Sequence, residues 1–344
     1  MSKFRRNQSI ECCRLLAALA VVFIHIPFPG ELGSLINCLF RVAVPFFFAV
    51  SGYFSWGADV SRLRKKAISI LKLYVWAVIL SLGWGAFCQI VVHGTSPLPW
   101  LLEKLHPKYF VRLLILQMDF LGGGHLWYLA SLLVCYVVLA WYVHKKGTDY
   151  RLLYLFSGMM LLITLALETI VKAAGIHVQY YLYRNAWLFG LPLFTLGLFL
   201  GQYRKKLREN PWLSGRNLRI LFLLGTALSA LQWIVLGKLE LPLGALVQVF
   251  SLILMATDAP NLAKTDSLRG QMIGYFGSVS ATIYITHLIL AEFYLLFLCP
   301  GITPWLGSIE AYVRPLIIAA LSLETGVLWV LVKTGLKKLL PSAK

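Results

Sequence analysis

Charged residues are scarce in this sequence. Only 13% of its 344 residues are Asp, Glu, Lys or Arg, whereas 59% are hydrophobic and the mean hydropathy is +0.75. A soluble domain typically carries about 25% charged residues, which cover the surface that water contacts. The scarcity therefore excludes a water-soluble globule and favours a chain whose surroundings are largely hydrocarbon.

The sequence also lacks the local motifs of soluble enzymes. It contains no HExxH, GxxxxGK[ST] or GxSxG motif, and no GxGxxG motif after a strand-like run. Its seven histidines are scattered without metal-ligand spacing, so we predict no metal site. The six cysteines form no CxxC pair, and we interpret them as small buried hydrophobes. A single disulfide bond between Cys38 and Cys299 is an alternative that the sequence leaves open.

Long apolar runs are present instead. A helix needs about twenty residues to cross the ~30 Å of a bilayer core. Because unpaired backbone groups are costly in lipid, and the alternating pattern of a barrel is absent, each such run is predicted to be a helix. The predicted spans are 10–28, 35–56, 67–92, 126–143, 151–172, 185–203, 218–236, 241–257, 271–299 and 312–332.

The net charge of +18 is distributed unevenly between the predicted loops. With the N-terminus in the cytoplasm, 22 Lys and Arg residues fall in cytoplasmic segments and 7 in outer segments. This positive-inside pattern accounts for the basic charge without nucleic acid, for which no aromatic and basic platform is present. We therefore predict an all-α integral membrane protein with about ten spans and both termini inside. We expect one polytopic domain over 1–344, with no appended soluble domain.

The longest predicted extramembrane stretch lies outside, between the third and fourth spans. Residues 100–120 mix charges with leucines at helical spacing. This pattern predicts an amphipathic helix on the outer leaflet.

The first span contains three polar residues that a bilayer disfavours, since a charge inside a span costs at least ~2.5–3.5 kcal/mol. At 100° per residue, Arg14 and His25 lie within ~20° of one helix face and ~16 Å apart along the axis. Glu11 lies one turn from Arg14, at a spacing that permits an ion pair. The alternative to a functional site is a salt-bridged helix end with a hydrogen-bonded core histidine.

Other spans carry polar groups with weaker signals. In the second span, Arg41 lies near the outer end, Pro45 is expected to bend the helix, and Ser51 is followed by a glycine. His125 and Trp127 open the fourth span, where aromatic residues also serve as interface anchors. In the ninth span, the side chains at positions i, i+4 and i+7 share one face; they are Ser280, Tyr284 and His287.

Four of these segments together resemble the membrane-bound acyltransferase family 3. They are the arginine eleven positions before a histidine in the first span, RVAVPFFFAVSGYF in the second, GGHLWYL in the fourth and SATIYITHLIL in the ninth. Members of this family are O-acyltransferases that decorate bacterial polysaccharides, lipopolysaccharide, peptidoglycan and some macrolides. The second-span phrase is also similar to the membrane half of vancomycin-resistance-type serine racemases, whose soluble half has no counterpart in this sequence.

The resemblance implies acyl-CoA, typically acetyl-CoA, as a co-substrate bound from the cytoplasm, with no bound cofactor. By position it implies that His25 is the catalytic residue, either as general base or as acyl carrier. Where the family carries an arginine-rich motif, this sequence reads RLRKKAISILK. The expected donor-binding residues are Arg14, Glu11, Arg64 and Lys65. The expected cavity-lining residues are Arg41, Ser51, Gly52, Tyr53, His125, Trp127, Tyr284 and His287.

We therefore expect a multi-pass O-acyltransferase of the bacterial inner membrane. It would move an acetyl or other short acyl group from cytoplasmic acyl-CoA to a hydroxyl of a cell-envelope glycan or lipid-linked saccharide. Two alternatives stay open: a transporter or flippase, and a sensor or amino-acid uptake module. The spacing of Arg14 and His25, which is close to the length of CoA, favours the enzyme.

Overall fold

The computed structural model describes residues 7–117, 124–264 and 267–339, with the backbone alone described for 336–339. Within these ranges the regular structure is entirely helical, which confirms the predicted all-α membrane fold. The α-helices are α1 (Gln8–His25), α2 (Gly30–Phe40), α3 (Ala43–Tyr53), α4 (Val60–Val91), α5 (Pro97–Lys104), α6 (Pro107–Leu116), α7 (Trp127–Lys146), α8 (Arg151–Ala173), α9 (Leu191–Glu209), α10 (Gly215–Leu236), α11 (Leu243–Asp258), α12 (Leu268–Phe293), α13 (Cys299–Leu306) and α14 (Glu310–Leu339).

Eight helical stretches in the described ranges are long and apolar enough to cross a membrane. The last of them, Leu268–Gly335, covers two of the predicted spans, and the predicted span 241–257 corresponds to the shorter helix α11. Each predicted run is thus helical. The number of crossings and the side of each terminus stay predictions.

Helix α1 begins and ends at signals in the sequence. The side chain of Asn7 accepts a hydrogen bond from the backbone N–H of Ile10 at 2.9 Å, which caps the first turn. The helix ends at His25, three residues before the predicted end of the span. Ile26 precedes a proline and leaves the helical region, with φ −119° and ψ 78°. His25 is therefore the last residue of an unbroken helix that also contains Arg14.

The predicted second span, 35–56, contains the end of helix α2 and all of α3, which together form one of the eight membrane-length stretches. Helix α2 ends at Phe40 and α3 begins at Ala43, so the interruption lies at Arg41 and Val42. Pro45 explains the position, because proline lacks the N–H that would bond the carbonyl four residues earlier and its ring crowds that carbonyl. The bend expected at Pro45 thus appears four residues upstream, beside Arg41.

The predicted amphipathic outer helix is also divided. Residues 100–120 contain the end of α5 and all of α6, and residues 118–120 lie outside the described residues. His106 caps α6 by accepting from the backbone N–H of Lys108 at 3.2 Å, and Pro107 occupies the first turn. A proline favours the start of a helix and disfavours its continuation, so one helix through this point was the wrong prediction.

The chain forms two compact units. The first contains α1, α2, the start of α3 and α10–α14; the second contains the rest of α3, α4–α9 and residues 239–241. In the first unit, α1, α12 and α14 share a core in which Val22, Ile283 and Ile318 are fully buried. Two of these helices, α1 and α12, hold the polar residues of the first and ninth predicted spans. The single domain predicted from the sequence stays a prediction.

Glycines bring α3 and α9 together in the second unit. A Cβ on Gly52 would overlap the carbonyl oxygen of Phe194, and a Cβ on Gly197 would overlap that of Ala49. Small residues of this kind let membrane helices approach at backbone distance. Gly52 therefore has a packing role in this helix pair.

A buried acid ties α8 to residues 239–241, also within the second unit. Both carboxylate oxygens of Glu168 accept backbone N–H groups, from Glu240 and from Leu241, the latter at 3.0 Å. Arg184 binds the carboxylate of Glu240 through two N–H groups, at 2.6 and 2.9 Å. These acid contacts hold a loop in place.

Cys38 and Cys299, between which the sequence left a disulfide bond open, are not bonded to each other. The Cys38 thiol donates to the carbonyl oxygen of Ser229 at 3.5 Å, and the Cys299 thiol lies 3.5 Å from Glu310 Oε1. Both act as weak donors within the first unit.

Candidate active site

Helix α1 carries an ion pair near its N-terminal end. Arg14 Nη1 donates to Glu11 Oε1 at 3.1 Å, three residues away along the helix. Glu11 is buried, whereas 29% of the Arg14 side chain is accessible. The ion pair that the spacing permits is therefore present, and the Arg14 side chain stays partly accessible.

At the other end of α1, His25 meets a second histidine. The ring centroids of His25 and His287 lie 5.2 Å apart, with their planes inclined by 49°. His25 is half-buried, and His287 on α12 is completely buried. Because α1 is continuous over eleven residues between Arg14 and His25, their Cα atoms are about 16 Å apart along the axis.

The backbone of α12 orients the ring of His287. Its Nδ1 lies 3.1 Å from the carbonyl oxygen of Ile283 and 2.9 Å from that of Tyr284. Carbonyl oxygens only accept, so Nδ1 carries the proton of the neutral ring and Nε2 is an acceptor. Tyr284 is buried beside it, with ring centroids 6.3 Å apart. Ser280, on the same face, is buried as well.

Asn37 on α2 supports the turn that holds His25, and the sequence reasoning missed it. Its side-chain amide donates to the carbonyl oxygen of Ile24 at 2.8 Å. The last carbonyls of a helix lack partners within the helix, so this bond fixes the end of α1. An amide in the apolar run GSLINCLF, where nothing local requires it, is the signal that identifies Asn37.

Arg41 is buried in the first unit, where α2 gives way to α3. It is 6% exposed, and its backbone N–H donates to the carbonyl oxygen of Cys38 at 3.1 Å. A buried guanidinium in a membrane protein marks a site of interest. Its expected role in lining a cavity stays a prediction.

The expected donor-binding residues of the basic run belong to the second unit. Arg64 and Lys65 on α4 are exposed. Lys66, next along the helix, turns back to donate to the Phe54 carbonyl oxygen at 2.9 Å and to Ser55 Oγ at 3.0 Å. The expected role of Arg64 and Lys65 in binding the donor stays a prediction.

The remaining predicted cavity residues also lie in the second unit. His125 is buried at 4% exposure, and Trp127 packs edge-to-face on Phe189 with ring centroids 5.4 Å apart. Ser51 accepts the hydroxyl of Ser55 through its carbonyl oxygen at 2.7 Å. Their roles as lining residues, like those of Gly52 and Tyr53, stay predictions.

The arrangement on α1 and α12 suits the transfer of a group from a long anionic carrier. A guanidinium can hold phosphate, and an imidazole at a fixed distance can accept a proton or an acyl group. Over the ranges that the structure describes, no three His, Cys, Asp or Glu residues come together as a metal site.

A family model described as an acyltransferase domain, that of acyltransferase family 3, matches residues 7–330. The match extends over nearly the whole chain and includes every residue of the cluster on α1 and α12.

Two curated proteins of Enterococcus faecalis, both named amino-acid racemase, are similar to this chain. The identities are 26% over 228 residues and 28% over 234 residues. The alignments include 59% and 60% of this chain but 30% of each relative, so the chain matches about a third of their length. No solved structure matches the chain.

Proposed function

Because this chain belongs to acyltransferase family 3, we propose that it is a membrane O-acyltransferase that uses acyl-CoA. The transferred group is acetyl or another short acyl group. The acceptor is a hydroxyl of a cell-envelope glycan or of a lipid-linked saccharide. The protein acts as a multi-pass protein of the bacterial inner membrane, with CoA entering from the cytoplasm.

One observation carries this proposal. A single unbroken helix presents Arg14 and His25 about 16 Å apart and on nearly the same face. The extended pantetheine arm of CoA spans a distance of this order between its phosphates and its thioester. Arg14 is thus suited to the phosphates of the donor, and His25 to its acyl carbon.

The proposed reaction needs only groups that the cluster and the substrates supply. Neutral His25 accepts the proton of the acceptor hydroxyl while that oxygen attacks the thioester carbonyl carbon. The new C–O bond forms, the C–S bond breaks, and the CoA thiolate takes the proton from the imidazolium. In the alternative route, His25 itself attacks the thioester and passes the acyl group to the hydroxyl in a second step.

The neighbours of His25 support a role in chemistry. Asn37 fixes the carbonyl of Ile24, and the ring of His287 packs against that of His25. A reacting group needs this kind of support, because small errors of position lower the rate strongly. We assign both neighbours to positioning His25.

Membrane vesicles that contain the protein, supplied with acetyl-CoA labelled in the acetyl group, test this proposal. We expect label in the envelope glycan fraction and release of free CoA. His25→Gln should lower both rates by about 10²–10⁴-fold, because glutamine keeps one hydrogen bond but cannot take up the proton. His177→Gln is the matched control, since His177 is exposed on a loop.

Two outcomes would contradict the proposal. One is an unlabelled glycan fraction with the unaltered protein. The other is His25→Gln protein that keeps more than about a tenth of the activity at equal protein level, given that loss of a general base costs at least ~10²-fold.

The similarity to the two amino-acid racemases favours a second candidate, a membrane module that takes up or senses an amino acid. This candidate predicts binding or uptake of a free amino acid and no turnover of acetyl-CoA. Vesicles assayed for both would separate the two functions, because only the acyltransferase releases CoA.

A further inference from the structure

Helices α1 and α12 approach so closely that a carboxylate occupies the place of a missing side chain. A Cβ built on Gly277 would overlap Glu11 Oε2, and would lie 3.1 Å from Glu11 Cδ and 3.4 Å from Glu11 Oε1. The absence of a side chain at Gly277 thus creates a notch in α12, and the carboxylate of Glu11 fills it.

The two oxygens of this carboxylate have different surroundings: Oε1 faces Arg14, and Oε2 fills the notch at Gly277. Oε1 accepts from Arg14 at 3.1 Å, whereas no described residue donates a hydrogen bond to Oε2. A buried carboxylate normally has donors on both oxygens. The position of Glu11 is therefore set by the shape of the notch on one side and by the guanidinium on the other.

We propose that Gly277 is a positioning residue for the acyl donor. By accommodating Glu11, it holds the guanidinium of Arg14 in the pose that receives the phosphates of acyl-CoA. The proposal rests on the function proposed above, and it adds a residue on α12 to the pair of Glu11 and Arg14 on α1. An alanine at 277 would push Oε2 out by on the order of 1 Å, to reach van der Waals distance, and Arg14 would move with it.

Alanine at this position is compatible with folding. The three atoms nearest to the added Cβ all belong to the end of the Glu11 side chain, which can change its rotamer. Alanine also favours a helix interior more than glycine does. Gly274 is a matched control on the same helix, because a Cβ there meets no described atom within 4 Å.

The experiment measures acetyl-CoA binding and turnover by the full chain in lipid nanodiscs. Gly277→Ala should raise the Kd and the KM for acetyl-CoA about tenfold, the effect of misplacing one hydrogen-bonded charge. Its kcat at saturating acetyl-CoA should stay near that of the unaltered protein, because His25 is untouched. Gly274→Ala should leave Kd, KM and kcat unchanged.

A double-mutant cycle with Glu11 tests the route of the effect. If Gly277 acts through Glu11, the Kd of Glu11→Ala/Gly277→Ala should equal that of Glu11→Ala alone. Shortening the acid should also rescue the defect, so Glu11→Asp/Gly277→Ala should bind acetyl-CoA more tightly than Gly277→Ala. A purely structural role would give additive losses and no rescue.

The remaining outcomes distinguish failure of the proposed function from failure of the role of Gly277. If the unaltered protein binds no acetyl-CoA, the proposed function fails and this proposal fails with it. If the unaltered protein binds acetyl-CoA and Gly277→Ala binds it equally well, only the role of Gly277 is overturned. A Gly277→Ala protein that unfolds while Gly274→Ala folds would also overturn it, because the proposal requires only a side-chain shift.

Discussion

Two acid–arginine clusters of this protein differ in how completely their charges are engaged. In the second unit, Arg184 makes two hydrogen bonds to Glu240, and Glu168 accepts two backbone N–H groups of the same loop. In the first unit, Arg14 binds one carboxylate oxygen of Glu11 at 3.1 Å, no described residue donates a hydrogen bond to the other oxygen, and the Arg14 side chain is partly accessible.

The difference separates structural charges from charges that can bind a ligand. Bidentate pairing with additional backbone bonds offsets the cost of burying ions, so the cluster of Glu168, Arg184 and Glu240 stabilises a loop. An arginine that engages one oxygen of its acid and whose side chain is partly accessible can still receive an anion. Glu310 and Arg314 in the first unit resemble the structural kind, since Arg314 binds both carboxylate oxygens and Tyr294 donates to one of them.

The largest expected effect is on the reaction itself. His25→Ala should lower acyl transfer by about 10²–10⁴-fold while the protein still inserts, accumulates and binds acetyl-CoA. The substitution removes the group that accepts the proton, whereas Glu11 and Arg14, which bind the donor, keep their charges. Transfer rate and Kd, measured on the same preparation, check this. A parallel loss of accumulation and binding would make His25 a structural residue.

In the second unit we expect a loss of stability without a loss of acetyl-CoA binding. Glu168→Ala should lower the free energy of unfolding by about 2–3 kcal/mol, because two buried backbone N–H groups lose their acceptor. The Kd for acetyl-CoA of the folded fraction should not change. Thermal unfolding in detergent checks the prediction, with exposed Glu209→Ala as the control. A raised Kd with unchanged stability would remove the distinction between the two clusters.

A smaller effect is expected when the charge of Arg14 is kept and its shape is changed. Arg14→Lys should raise the Kd for acetyl-CoA about tenfold with little change in unfolding temperature, because lysine lacks the planar fork of donors. Exposed Arg216→Lys is the control. Unchanged affinity in Arg14→Ala protein would remove Arg14 from the donor site.

The smallest effect is expected at the partner of Arg14. Glu11→Gln should raise the Kd about threefold, since the amide oxygen can still accept from Arg14 but no longer holds it by charge. Glu310→Gln, in the bidentate pair, should instead lower the unfolding temperature without changing the Kd. The same substitution at two acids thus distinguishes a ligand-binding pair from a stabilising pair.

Much of the fold follows from local patterns in the sequence. Apolar runs predict the helices, and Asn7 and Pro107 mark where two of them begin. The wrong prediction, one helix over 100–120, failed at Pro107, and the bend expected at Pro45 in the span 35–56 lies at Arg41 and Val42. The effect of Pro45 reaches back to the carbonyl of Arg41, so the interruption lies a full turn before the residue that causes it.

The candidate site likewise combines features that the sequence predicts with features that only the packing of helices sets. The sequence by itself determined that Glu11, Arg14 and His25 share α1 at fixed spacings, because the geometry within a helix depends only on residue number. Only the tertiary structure decided that His287 lies beside His25, that Asn37 holds the carbonyl of Ile24, and that Glu11 fills the notch at Gly277. The rotation and separation of two packed helices depend on side-chain shape along the whole contact, and no periodicity within one helix encodes them.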